Sequence, residues 1–273
     1  MKNETFSFGR FRNYFKFDLK QMWRNHSRPA IFIGGMELII YLIWVLLGLV
    51  FSGGEWHGPS VAARICILVL AFAVLELYQT RTYGYLTQRK QGSSWLMVPA
   101  SSTEKFVSML LITLLVIPVL FLVVFLSVDA LISLADPTVG PSIVGFLSSG
   151  IQQAFSQLEP EDVSLFLDMS GGHLTWLLVL GFIVNFLYWL LCGLCFKRYK
   201  ILGGIALVLG VEIVLSILGS TLIPGLSEQL VSLDEGSARQ AVNHFLGWVV
   251  ALSAALAVGL GGGIFYRIKT IKH

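Results

Sequence analysis

FVSMLLITLLVIPVLFLVVFLSV, residues 106–128, holds no charged residue, and only Ser108, Thr113, Pro118 and Ser127 interrupt its apolar side chains. At 1.5 Å of rise per residue a helix of this length covers about 35 Å, enough to cross a hydrocarbon core of about 30 Å. Working outward, five further stretches have the same character: 31–51, 61–83, 174–196, 201–223 and 241–266. The whole composition agrees. Only 13% of the 273 residues are charged and 55% are hydrophobic, with a mean hydropathy of +0.76. Soluble domains carry about 25% charge, so a soluble fold is excluded, and disorder and nucleic-acid binding with it. The chain is expected to be an all-α integral membrane protein, one membrane domain over 1–273 with six transmembrane helices. Cys66, Cys192 and Cys195 all lie within apolar runs, which excludes a secreted disulfide scaffold.

Cytoplasmic segments retain lysine and arginine, so the distribution of these residues sets the orientation. Of the 19 lysines and arginines, 17 fall before the first stretch, at the junction of the second and third (Arg81, at the end of the second, included), between the fourth and fifth, or in the C-terminal tail. Arg64 and Arg239 lie towards the opposite face, where Asp129, Asp136, Asp168, Asp234, Glu235 and other carboxylates collect. Both termini are therefore expected in the cytoplasm. The segment 129–173 becomes a long acidic extracytoplasmic loop, in which Pro141 and Ser142 can open a helix with the apolar stripe Ile143, Leu147, Ile151, Phe155 and Leu158.

Two cytoplasmic elements carry information. Over 1–29, Phe8, Phe11, Phe15, Leu19 and Met22 recur at three- and four-residue steps, flanked by Arg12, Lys16, Lys20 and Arg24. This predicts an amphipathic helix in the inner interface, on anionic lipid headgroups, set off from the first span by Pro29. Phe17 falls on the wrong side of that wheel, and the helix serves either as a positive-inside anchor or in a specific structural role. The second element, 87–105, reads TQRKQGSSWLMVPASSTEK. Trp95, Leu96, Met97 and Val98 form a short apolar knob that Pro99 ends, and Ser101 with Glu104 is a capping box opening the third span. An apolar knob facing the cytosol requires a partner, unless it is a helix-start loop whose tryptophan sits in the interface belt.

The string LMVPASSTEKFVSMLL, together with the N-terminal helix and six spans, resembles permease subunits of ABC-2 type transporters, short bacterial ones in particular. Val98 stands where the family pattern has leucine before the proline. The resemblance implies that Trp95, Leu96, Met97, Val98, Pro99, Ser101, Glu104 and Lys105 belong to a coupling region that docks in a groove of a separate ATPase subunit. It further implies a multi-pass protein of the bacterial inner membrane and a second permease subunit, either an identical copy or a paralogue. The subunit would export an amphiphilic or peptide-like substrate with ATP hydrolysed in the partner chain.

No lysine follows a glycine, so the P-loop G-x-x-x-x-G-K-[ST] is missing and the chain cannot hydrolyse ATP by that means. Metalloprotease and serine-hydrolase motifs are missing too, the five histidines have no ligand spacing, and no catalytic residue, metal or cofactor is expected. Cys192 and Cys195 are read as packing residues in an apolar span. The carboxylates within spans are more informative, since a charge at mid-bilayer costs at least about 2.5 kcal/mol. Glu212 falls near the middle of span five, and Glu37 and Glu76 about two turns from the inner ends of spans one and two, while Arg64 lies near the outer end of span two. Either the three carboxylates line a transport path or they join helices through neighbours such as Asn185. A proton-driven transporter, and a membrane scaffold or sensor recognised through the acidic loop, are the rival readings.

Overall fold

In a computed structural model of the chain, the residues described are 6–51, 58–87, 95, 97–157, 172–196, 198–213, 216 and 235–270. Every regular element among them is a helix. Four helices are long and apolar enough to cross a membrane, and a fifth if one bent pair is counted as a single span. The chain divides into two compact units, Met1–Thr82 with Pro99–Leu158, and Tyr83–Val98 with Glu159–His273.

The first unit is built on α1 (Phe8–Gly34), α2 (Met36–Phe51), α3 (Val61–Thr82), α4 (Ser102–Ala135) and α5 (Ile143–Gln157). Pro29 does not separate α1 from the following span, as the sequence suggests; it lies inside α1, and the break comes at Gly35, where α2 turns away by 42°. A proline removes one backbone bond without ending a helix whose face is held by packing. That face is Tyr14, Asp18, Met22, Ala30 and Ile33, all buried. The phenylalanines expected to define the apolar face sit at its edge: Phe11 and Phe15 are half-buried and stack at 5.9 Å, and Phe8 is exposed. Arg12, Lys16, Lys20 and Arg24 are exposed along the flank, as expected.

Contacts along the chain show that α1 and α2 run parallel to α4. Arg10 meets Glu104, Asp18 meets Ser108, Gly34 lies against Phe121 and Val124, and Tyr41 meets Asp136. A Cβ on Gly34 would lie 3.0 Å from Cβ and Cγ1 of Val124, so glycine is what lets the helices approach here. Helix α3 is antiparallel to α4, with Arg64 opposite Asp129 and Phe72 opposite Phe121. The 34 residues of α4 include a π turn at Ile112–Val116. Pro118 explains it: the ring cannot approach the carbonyl four residues back, and a widened turn relieves the clash. After α4, Asp136 accepts from the Thr138 N–H (2.9 Å), a single 3-10 turn follows, and Gly140 at φ 79° takes the left-handed conformation that lets Ser142 open α5. The expected helix after Pro141 is present; Ile143 is buried, Leu147 is exposed, and Leu158 lies outside the described residues.

The second unit contains α6 (Gly172–Cys195), a helix α7 over 200–213 and α8 (Glu235–Thr270). Helices α6 and α8 are parallel, since His173 lies near Gly247, Leu191 near Gly263, and Arg267 donates to the Leu194 carbonyl (3.1 Å). Two parallel helices need a return segment, and α7 begins it: the Tyr188 hydroxyl donates to the Gly204 carbonyl at 2.6 Å. Only 201–213 and Ser216 of the fifth predicted span are described. Cys192 is buried and Cys195 exposed, both as free thiols.

Candidate functional site

The residues expected to form a coupling region divide between the two units. In the second unit, Trp95 is 5% exposed and so is not the protruding tip that the sequence suggests. The indole is the largest apolar group in the segment and has most to gain by leaving water. Met97 remains 83% exposed and Val98 half-buried, while Leu96 lies outside the described residues. Among the described residues of the segment, Met97 is the exposed large apolar side chain. In the same unit Lys200 Nζ donates to the Gly84 carbonyl and to Thr87 Oγ1 (3.1 Å), satisfying groups in the turn Gly84–Thr87 that follows α3. Burial pushes the Lys200 ammonium below its ordinary pKa.

In the first unit, Pro99 is exposed and Ser101 and Glu104 make the expected capping box at the start of α4. Ser101 Oγ accepts from the Glu104 N–H (3.2 Å), and Glu104 Oε2 accepts from the Ser101 N–H (2.9 Å). Glu104 does more than cap. Its Oε1 accepts from the Ser7 N–H at 2.9 Å and from Arg10 Nη2 and Nε at 2.9 and 3.2 Å, so one buried carboxylate joins the starts of α1 and α4. Burial pushes this carboxyl up, but the backbone donors of Ser101 and Ser7 and the Arg10 guanidinium outweigh it and hold Glu104 below the usual carboxylate range. Lys105 is buried. Four residues on from Glu104, Ser108 Oγ donates to Asp18 Oδ2 at 2.6 Å, a second buried tie between the same helices.

A different cluster gathers at the far end of α4. Arg64 donates through Nη1 to Asp129 Oδ1 and through Nη2 to the carbonyls of Val139 (3.2 Å) and Pro141 (2.5 Å). Asp129 Oδ2 accepts from the Ile143 N–H at 2.6 Å, at the start of α5. Both side chains are buried. Removing one partner of such a pair costs about 3–5 kcal/mol, because the other charge is left without compensation. Arg64 thus has a partner, and as the twelve-residue separation requires, it is not Glu76. The pairing was findable from sequence: Arg64 sits just inside the outer end of one span and Asp129 just past the outer end of the next.

Glu37 joins this cluster. It is 1% exposed, neither carboxylate oxygen takes a hydrogen bond, and Arg64 and Asp129 are the charged groups that face it. The sequence places Glu37 near the inner end of its span and Arg64 near the outer end of the next; the structure corrects this and sets them side by side. The displacement follows from the break at Gly35, which lets α1 accompany α4 over most of its length before α2 begins. Of the other two carboxylates, Glu76 is half-buried in α3 of the first unit and Glu212 is exposed on α7 of the second.

His173 and His244, far apart in sequence, meet in the second unit. With Gln240, Asn243, Gly247 and Trp248 they line an open groove of about 640 Å³ between α6 and α8. Among the described residues no group of three or more His, Cys, Asp or Glu could hold a metal ion. Comparison of the chain with protein-family models, curated proteins and solved structures finds no match. What this chain does must therefore be argued from its own residues.

Proposed function

We propose that the chain is the transmembrane permease subunit of an ATP-powered exporter in a bacterial inner membrane. Six spans cross the bilayer with both termini in the cytoplasm, a second permease copy or paralogue completes the path, and a separate ATPase subunit supplies the energy. The substrate class is amphiphilic or peptide-like, and the subunit itself performs no catalysis. The observation that carries this reading is the Glu104 junction. The segment holding the exposed Met97 runs directly into the capped start of α4, and the cap is bonded to Ser7 and Arg10 of the N-terminal element. Movement of the 97–101 segment by a docked ATPase would therefore reach α1 and α4 together. A state of the ATPases that binds this segment better in one arrangement of the helices shifts the population towards it. The parallel course of α6 and α8, with α7 between them, supports the later spans.

The test co-expresses the full chain with a candidate P-loop ATPase subunit from the same organism. The two should co-purify, and Met97→Asp should weaken the association by about 2 kcal/mol, a hot-spot loss, with the amount of membrane-inserted chain unchanged. Undiminished association in Met97→Asp would remove the coupling assignment.

One observation favours a second reading, transport driven by protons: the buried Glu37 carboxylate with no hydrogen bond to either oxygen. That reading requires transport by the chain in liposomes without any ATPase.

A further inference from the structure

Three ionisable groups meet where α2, α3 and α4 pack together: Glu37, Arg64 and Asp129. Each is at most 1% exposed. Two carboxylates against one guanidinium leave one uncompensated negative charge if all are ionised. The two acids are not equivalent. Asp129 accepts on both oxygens, from Arg64 on one and from the Ile143 N–H on the other. Glu37 has no donor on either oxygen, yet it faces Asp129. Two carboxylates cannot satisfy one another, because both only accept; a carboxylic acid and a carboxylate can, because one O–H donates. Among the described residues, Arg64 is the cation that faces Glu37. Asp136, two turns further along, is engaged by the Tyr41 hydroxyl at 3.0 Å and by Thr138.

We propose that Glu37 is a proton-binding site: at neutral pH its carboxyl group holds a proton and donates it to Asp129, which makes the cluster with Arg64 electrically neutral. Release sends the proton to water and leaves a buried negative charge beside Asp129. This goes beyond the exporter reading and does not depend on an ATPase.

The test is infrared spectroscopy of the full chain in lipid nanodiscs at neutral pH, with glutamate carbon-13 labelled so that its carboxyl bands shift. A carbonyl stretch of a protonated glutamate should be present and should disappear in Glu37→Gln. The double variant Glu76→Gln/Glu212→Gln, which leaves the cluster untouched, should retain it and keeps the test valid even if Glu37→Gln fails to fold. No protonated-glutamate band in the wild type, a band undiminished in folded Glu37→Gln, or a band lost in the double variant overturns the proposal. None of these readings involves ATP, so failure here is distinct from failure of the exporter assignment.

Discussion

Glu104 shows how one side chain can fix a structure from a distance. As a capping residue it contributes about 1 kcal/mol locally, but its Oε1 also receives donors from a segment 94 and 97 residues earlier. Because its folded pKa lies below the ordinary value, the carboxylate favours the folded state at any pH above about 4.3, where the unfolded chain is also ionised. That contribution is lost as pH falls through the unfolded value towards the folded one. Thermal unfolding of the full chain in nanodiscs should therefore show stability declining as pH falls below the ordinary glutamate range, with part of the decline absent in Glu104→Gln. At neutral pH the same variant should be less stable by about 1–3 kcal/mol, since the amide keeps one acceptor but turns a second set of donors towards Arg10. An identical pH slope in both proteins would mean that Glu104 is not the titrating group.

At the scale of elements, the break at Gly35 and the close approach at Gly34 decide where everything in the first unit sits. Gly34→Val should push α1 off α4, because a Cβ already meets Val124 at 3.0 Å and the Phe121 carbonyl at 3.2 Å. The cost should be about 1–3 kcal/mol, and adding Val124→Ala should recover much of it if the clash is the cause. Additive effects in thermal unfolding of the two single variants and the double variant would place the strain elsewhere. The same helices show what the sequence could convey. Apolar runs give α3, α4 and α6 because a span is a local property of about 20 residues, and Ser101 and Glu104 announce a helix start because the cap is three residues wide. The exit of α1 was misplaced at Pro29 for an opposite reason: a proline's local preference is weaker than packing of Ala30 and Ile33 against neighbours that sequence order does not reveal. Trp95 is a similar case, an apolar residue in a short exposed-looking segment whose burial depends on contacts outside that segment. The Glu37 site was legible only by half. A carboxylate in a span is conspicuous, but its neighbours follow from the register of α2 against α4, and one break four residues from the predicted start of the span changes that register.

For the whole molecule, the length of α4 gives a test of topology that does not rest on counting spans. Thirty-four helical residues extend about 51 Å, against a hydrocarbon core of about 30 Å, so a crossing helix must emerge on both sides. Its ends are chemically marked: Ser101, Glu104 and Arg10 at one, Asp136 and Thr138 at the other, each a polar group suited to the water boundary. In the proposed topology, which follows the excess of lysine and arginine, the Glu104 end faces the cytoplasm. Cysteine placed at Thr103 should then react with a membrane-impermeant thiol reagent only in inside-out vesicles, and cysteine at Thr138 only in right-side-out cells. Cysteine at Thr270, in the last turn of α8, should behave like Thr103 if both termini share the cytoplasmic side. Cys66 and Cys195 are exposed and should first be replaced, with Cys192 buried and kept. Labelling of Thr103 and Thr138 from the same side would mean that α4 does not cross. Labelling from opposite sides in the reverse sense would invert the molecule and place Met97 where no ATPase could reach it.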